Sequence, residues 1–131
     1  EVCEFRCTME KSVCSMLIEK GISFECQVLL EDNLARMEQA DGSELVSVDK
    51  EFHELLIRAT ENELFSMIME AVMIVYREWI DLVLRRVNTK EKANLLNYHK
   101  QIYNSVLERD EVAMKAAVDG HYHLISQMLA L

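Results

Sequence analysis

No proline occurs anywhere in this chain of 131 residues, and glycine occurs only at positions 21, 42 and 120. These two residues most often break helices and make tight hairpin turns, so their scarcity favours long helices with few interruptions. Met, Leu, Glu, Ala and Lys, all good helix formers, are frequent. Apolar residues recur with a period near 3.6, and no segment sustains two-residue alternation. The expected class is all-α, an antiparallel bundle of about six helices. Half of the residues are apolar, and the length suits one domain with a real core.

The punctuation divides the chain as follows. A first helix runs from about Val2 to Lys20 and stops at Gly21, a residue suited to the left-handed conformation that ends helices. A second spans roughly Ser23 to Ala40. After the loop Asp41-Gly42-Ser43, Ser43 is the expected cap of a third helix reaching about Thr60. Asn62 caps a fourth that extends to about Arg86. Its apolar stripe at positions 64, 65, 68, 72, 75, 79, 82 and 83 is expected to sit centrally in the bundle. Thr89 is the expected cap of a fifth helix ending near Arg109, and Asp110 caps a sixth that runs to the end of the chain.

Charge and hydropathy exclude several functions. A net charge of −9 opposes binding to a phosphate backbone, since nucleic-acid affinity comes mainly from Lys and Arg. No apolar run approaches the roughly 20 residues that span a bilayer, and residues 1 to 10 hold four charges rather than a signal-peptide core. A cytoplasmic protein without a membrane partner is expected. Cys3, Cys7, Cys14 and Cys26 crowd the start of the chain and read as buried thiols. The alternative, that Cys3 and Cys7 offer two thiolates to a metal, lacks a second pair.

The informative residues are polar groups whose helical phase puts them among apolar neighbours, because an unpartnered buried charge costs several kcal/mol. In the third helix Leu45, Val48, Phe52, Leu56 and Ala59 share a face; Asp49 falls near its middle and His53 at its edge. His99 lies inside the stripe Leu95, Ile102, Tyr103, Val106. His121 flanks Ala113, Ala117, Leu124 and Met128, while His123 is turned away. Three imidazoles and one carboxylate from three helices match the needs of a borderline divalent cation, and the four-residue spacing of Asp49 and His53 lets both reach one ion. The alternative is a set of core histidines each bonded to a carbonyl. Four such ligands suit zinc first, with nickel, manganese or cobalt possible where water or a ligand carboxylate completes an octahedron. In the first helix Arg6 lies within the stripe Val2, Phe5, Met9, Val13, Met16, with Glu10 at its edge. Arg6 either pairs with Glu10 at i,i+4 or clamps a carboxylate ligand. Arg77 falls opposite the fourth helix's apolar stripe and reads as a surface or dimer residue.

These residues resemble the FadR-type C-terminal (FCD) domain of GntR transcription regulators. The family's D-x-x-F-H appears as Asp49-Lys50-Glu51-Phe52-His53, and its pair of histidines 22 positions apart as His99 and His121. Ile102, Asp110, Ala113 and Ala117 meet the pattern between and around them. The opening R-x-x-L-E appears as Arg6-Cys7-Thr8-Met9-Glu10, and A-x-x-N as Ala59-Thr60-Glu61-Asn62. The resemblance covers essentially the whole chain. It implies that residues 1–131 form an effector-binding and dimerisation domain in which Asp49, His53, His99 and His121 hold a divalent metal. A small organic acid or sugar acid is then expected beside the metal, with Arg6 as a candidate contact. It implies a homodimer, and operator DNA bound through a winged helix-turn-helix domain that this chain does not contain. Two rivals remain at this level. A metal-dependent enzyme of ferritin type would want a Glu-x-x-His motif, which is absent, Glu51 standing only two before His53. The other is a purely structural bundle.

Overall fold

The computed structural model describes residues 2–129, leaving aside the side chains of Val2, Tyr76 and Trp79. They form six helices: α1 (Val2–Lys20), α2 (Phe24–Gln39), α3 (Ser43–Ala59), α4 (Glu63–Arg85), α5 (Thr89–Leu107) and α6 (Glu111–Leu129). No strand occurs among the described residues. The all-α expectation holds, and the connecting loops are short enough to make sequential neighbours antiparallel. α5 packs most extensively on α6, α6 also on α1, and α3 lies between α2 and α4. The main core joins Val13, Leu17, Phe52, Leu56, Ile102 and Val118, from four helices.

Helix ends follow side-chain chemistry, with two departures from the sequence reading. Gly21 ends α1 with φ of 83°, a conformation only glycine adopts freely. Ser23, Asn62 and Asp110 each accept a hydrogen bond from a backbone N–H of the first turn that follows, at 3.2, 3.0 and 3.0 Å. Ser43, expected as a cap, is instead the first residue of α3; Gly42 holds the cap position and supplies no side-chain bond. Thr89 is likewise already helical. Asn88 caps α5, accepting from Glu91 N at 2.8 Å while the Glu91 carboxylate accepts from Asn88 N at 3.0 Å. That reciprocal capping box satisfies two orphan donors at once.

Two helices are rotated from the expected phase. In α1, Phe5 is 44% exposed, and the buried face is instead Arg6, Glu10, Val13, Cys14 and Leu17, one helical row over. In α4, Leu64, Ile68, Val75 and Leu82 of the expected central stripe are exposed, and Met69, Met73, Ile80 and Leu84 are buried. α4 is apolar on two opposite sides, so periodicity alone could not say which side packs inward. Of the four free cysteines only Cys14 is buried, and burial pushes its thiol well up; Cys3, Cys7 and Cys26 are partly exposed. Because Asn88 rather than Thr89 is the cap, Asn88→Ala is expected to cost about 1 kcal/mol in urea unfolding, and Thr89→Ala less than about 0.5 kcal/mol.

Candidate functional site

Asp49, His53, His99 and His121 are all buried, and each can offer one atom to a cluster whose members lie within 4.8 Å of one another. His99 Nε2 stands 3.0 Å from His121 Nε2 and 3.1 Å from Asp49 Oδ1, while His53 Nε2 lies 3.7 Å from the same oxygen. α3 contributes two of the four because residues four apart project from one helix face. α5 and α6 contribute one each. Phe52 stacks on the His99 ring at 4.2 Å with planes 12° apart, walling the cluster on the core side. The structure thus brings together all four residues singled out from the sequence, and leaves His123 exposed.

A glycine in the middle of α6 permits this approach. Gly120, next to His121, lies under the Tyr98 ring, and a Cβ there would fall inside contact distance of three ring atoms. Glycine within a helix costs roughly 0.5–1 kcal/mol relative to alanine. Here it lets α5 and α6 come close enough for His99 and His121 to meet.

Glu10 departs from the sequence reading. Rather than serving chiefly Arg6, its carboxylate accepts from His53 Nδ1 at 2.7 Å and from the Tyr122 hydroxyl at 2.8 Å. Arg6, buried to 1% exposure, donates to the Tyr122 hydroxyl at 3.2 Å and touches Met73 Sδ. A carboxylate only accepts, so His53 Nδ1 carries the proton and Nε2 faces the cluster. The bond of this outer carboxylate to His53, together with Tyr122, was missed because the partners come from α1, α3 and α6, whose relative rotation no local pattern records.

The electrostatics follow from burial and these partners. Burial opposes ionisation of Glu10, but the His53 charge outweighs it and draws the pKa down to about 2. Burial lowers His53, yet Glu10 and Asp49 on its two sides raise it to about 9. For Asp49 burial is outweighed by His53 and His99, leaving it well below its usual value. His99 is lowered chiefly by burial, and His121 is held well below its normal value by burial and then by His99 and His53. Two neutral imidazoles and an ionised carboxylate therefore face the cluster, and the proton that His53 Nε2 turns towards Asp49 must leave before a cation can bind.

The donor set fits a divalent cation. Among the described residues Asp49 Oδ1 is buried without a hydrogen bond in good geometry, as are His99 Nδ1 and His121 Nδ1. A cation amid the cluster would meet the need of the Asp49 oxygen. Beside it lies a cavity of about 20 Å³, lined by Arg6, Lys50, His53, Met73, Arg77 and Tyr122 among others. It has room for about one water as it stands. Three cationic side chains border it. Arg77, expected at the surface, is exposed and at the same time lines the cavity, one turn beyond Met73.

The match to known families decides what kind of domain this is: the family model of the FCD domain aligns with residues 1–124. The chain belongs to the FCD family, the C-terminal effector-binding domain of GntR-type regulators. FCD domains are regulatory ligand-binding bundles of helices, and the all-helical architecture described above agrees with that. No curated protein and no solved structure matches the chain. No helix among the described residues is long and apolar enough to cross a membrane.

The ionised pair Glu10–His53 and the neutral imidazoles of His99 and His121 set the pH response of the metal-free FCD domain. The Glu10 contribution is present above its usual pKa of 4.5 and lost as pH falls towards 2. The His53 contribution is present below its usual 6.5 and lost as pH rises through about 9. His99 and His121, neutral in the fold, cost stability as pH falls below the usual imidazole value of 6.5, so thermal melts of chelator-treated protein are expected to show a maximum near that value and a decline on either side. With zinc bound, the alkaline decline should vanish, and uptake at neutral pH should release a proton, read from the buffer dependence of binding heat. Gly120→Ala, which displaces Tyr98 without removing a ligand, is expected to weaken zinc affinity at least tenfold while helicity by circular dichroism is kept.

Proposed function

We propose that this FCD domain is the metal-binding, effector-sensing part of a FadR-branch GntR regulator that responds to a small organic acid or sugar acid. The observation that carries the reading is the convergence of Asp49, His53, His99 and His121 beside a cavity bordered by Arg6, Lys50 and Arg77. Zinc is the first choice of ion, with nickel, manganese and cobalt as further candidates. Bound there, the ion would fix the four side chains and offer an open position to an effector carboxylate.

The chain's own residues supply the rest. Arg6, released from Met73, is placed to clamp a carboxylate with two parallel hydrogen bonds, and Lys50 and Arg77 add positive charge. Entry of an effector into so small a cavity requires Met73, and with it α4, to move. Arg6 and Glu10 both stand on α1, so the state of the cavity and of the cluster converges on that helix through Arg6 and through the His53–Glu10 bond. In our reading the domain works as a homodimer and reaches operator DNA through a winged helix-turn-helix domain outside this chain, which places it in the cytoplasm. An effector switches such a dimer only if it binds one arrangement better than the other.

Elemental mass spectrometry on tag-free protein tests the metal. Roughly one ion per chain is expected, lost in His99→Ala and in Asp49→Ala. No ion in freshly purified protein, even after metal is offered, would instead favour a structural bundle. Thermal shift against hydroxy acids, sugar acids and dicarboxylates tests the effector; a true ligand at a hundred times its Kd adds about 2.7 kcal/mol of stability. Arg6→Gln should abolish that shift while leaving the metal content unchanged.

A further inference from the structure

α4 carries two apolar faces on opposite sides of one helix. The inner face, Met69, Met73, Ile80 and Leu84, is buried against the bundle. At about 100° per residue, Leu64, Met67, Ile68, Ala71, Ile74, Val75 and Leu82 form a second stripe centred roughly opposite the first. Leu64, Met67, Ile74, Val75 and Leu82 are each more than half exposed. From Leu64 to Leu82, at about 1.5 Å per residue, the stripe runs for about 27 Å. A helix that is apolar all round is ordinarily buried, and a continuous exposed apolar face of this length marks an association surface.

The charges on α4 say what covers it. Glu61 and Glu63 stand at its start, and Arg85 and Arg86 at its end, all exposed. A second copy laid antiparallel brings each acidic end against a basic end and opposes the two helix dipoles; a parallel copy would stack like on like. In that register Ile74 and Val75 meet at the dyad, and Glu78, the one acid within the stripe, faces Ala71, whose small side chain leaves it room. At the Arg86 end a cleft of about 470 Å³ between Leu82, Val83, Val87 and Met128 is open to receive an apolar side chain from the partner's first turn. A chain with net charge −9 repels its own copy over most of its surface, so a face that is apolar at the dyad, carries Glu78 as its one acid and has complementary ends is where pairing is favoured.

We infer that the outer face of α4 pairs antiparallel with α4 of a second copy in an isologous dimer. This rests on the homodimer proposed above and adds the surface and the direction. Met73 then lies on the inner side of the interface helix, against Arg6, so the cavity and the dimer contact share one rigid element.

Light scattering and sedimentation of the 131-residue chain test it. Twice the chain mass is expected. Ile74→Glu, which sets two carboxylates against each other at the dyad, should give a monomer with an unchanged far-ultraviolet spectrum. Arg86→Glu should weaken dimerisation at least tenfold, and adding Glu63→Arg in the same chain should restore it. Val28→Glu, on the exposed side of α2, should leave the dimer intact. A monomeric parent at about 0.1 mM would overturn both the pairing and its surface. A dimer that survives Ile74→Glu, or dissociates with Val28→Glu, would overturn the α4 surface while leaving the homodimer standing.

Discussion

The structure depends on burying six polar side chains together. Arg6, Glu10, Asp49, His53, His99 and His121 all lie within the bundle, each at 6% exposure or less. Taken singly, the desolvation of such groups would cost several kcal/mol per ion. Taken together they offset one another: Glu10 and Asp49 flank His53, Tyr122 bridges Arg6 to Glu10, and the two remaining imidazoles stay neutral. The members come from four helices, so the network forms only when α1, α3, α5 and α6 are in register. It therefore acts as a lock on helix rotation as well as a site. The rotation of α1 that turns Phe5 outward is its direct result, because seating Arg6 and Glu10 inside displaces the purely apolar row from the core.

The same arrangement links sensing to geometry. α1 bears the two residues that touch the cavity and the outer side of His53, α4 bears Met73, and α6 bears His121 and Tyr122. A small cavity bordered by four helices cannot admit a ligand without shifting at least one of them, since packed interiors have little free volume to absorb a change. Within a single chain the helix with the least support is α4: it packs mainly on α3 and α6, and leaves a whole apolar side outward. Movement there is cheaper than movement of α5, which is wedged against α6 with Tyr98 lying over Gly120.

Much of the site was legible before any coordinates. The number of helices followed from apolar period and from Gly21, Asn62 and Asp110, because caps and stops are local chemistry. Asp49, His53, His99 and His121 stood out because each sits among apolar residues at helical spacing, and a buried polar group demands a reason. The caps at Ser43 and Thr89 were misplaced by one residue, since Gly42 and Asn88 compete for the same turns and only backbone geometry separates them. Glu10 was seen, but with its nearest neighbour in sequence rather than with His53, which lies 43 positions away. Arg77 was set aside because the wrong face of α4 was taken as its inner one.

By itself the sequence determined the all-helical class, the approximate element boundaries, and which side chains are capable of ligation, since these depend on residue type and short-range spacing. The tertiary structure decided which face of α1 and α4 turns inward, which carboxylate holds which imidazole, and how close α5 comes to α6. Those depend on rotations and separations between helices, which are settled by the packing of many side chains at once. No single stretch of chain encodes them.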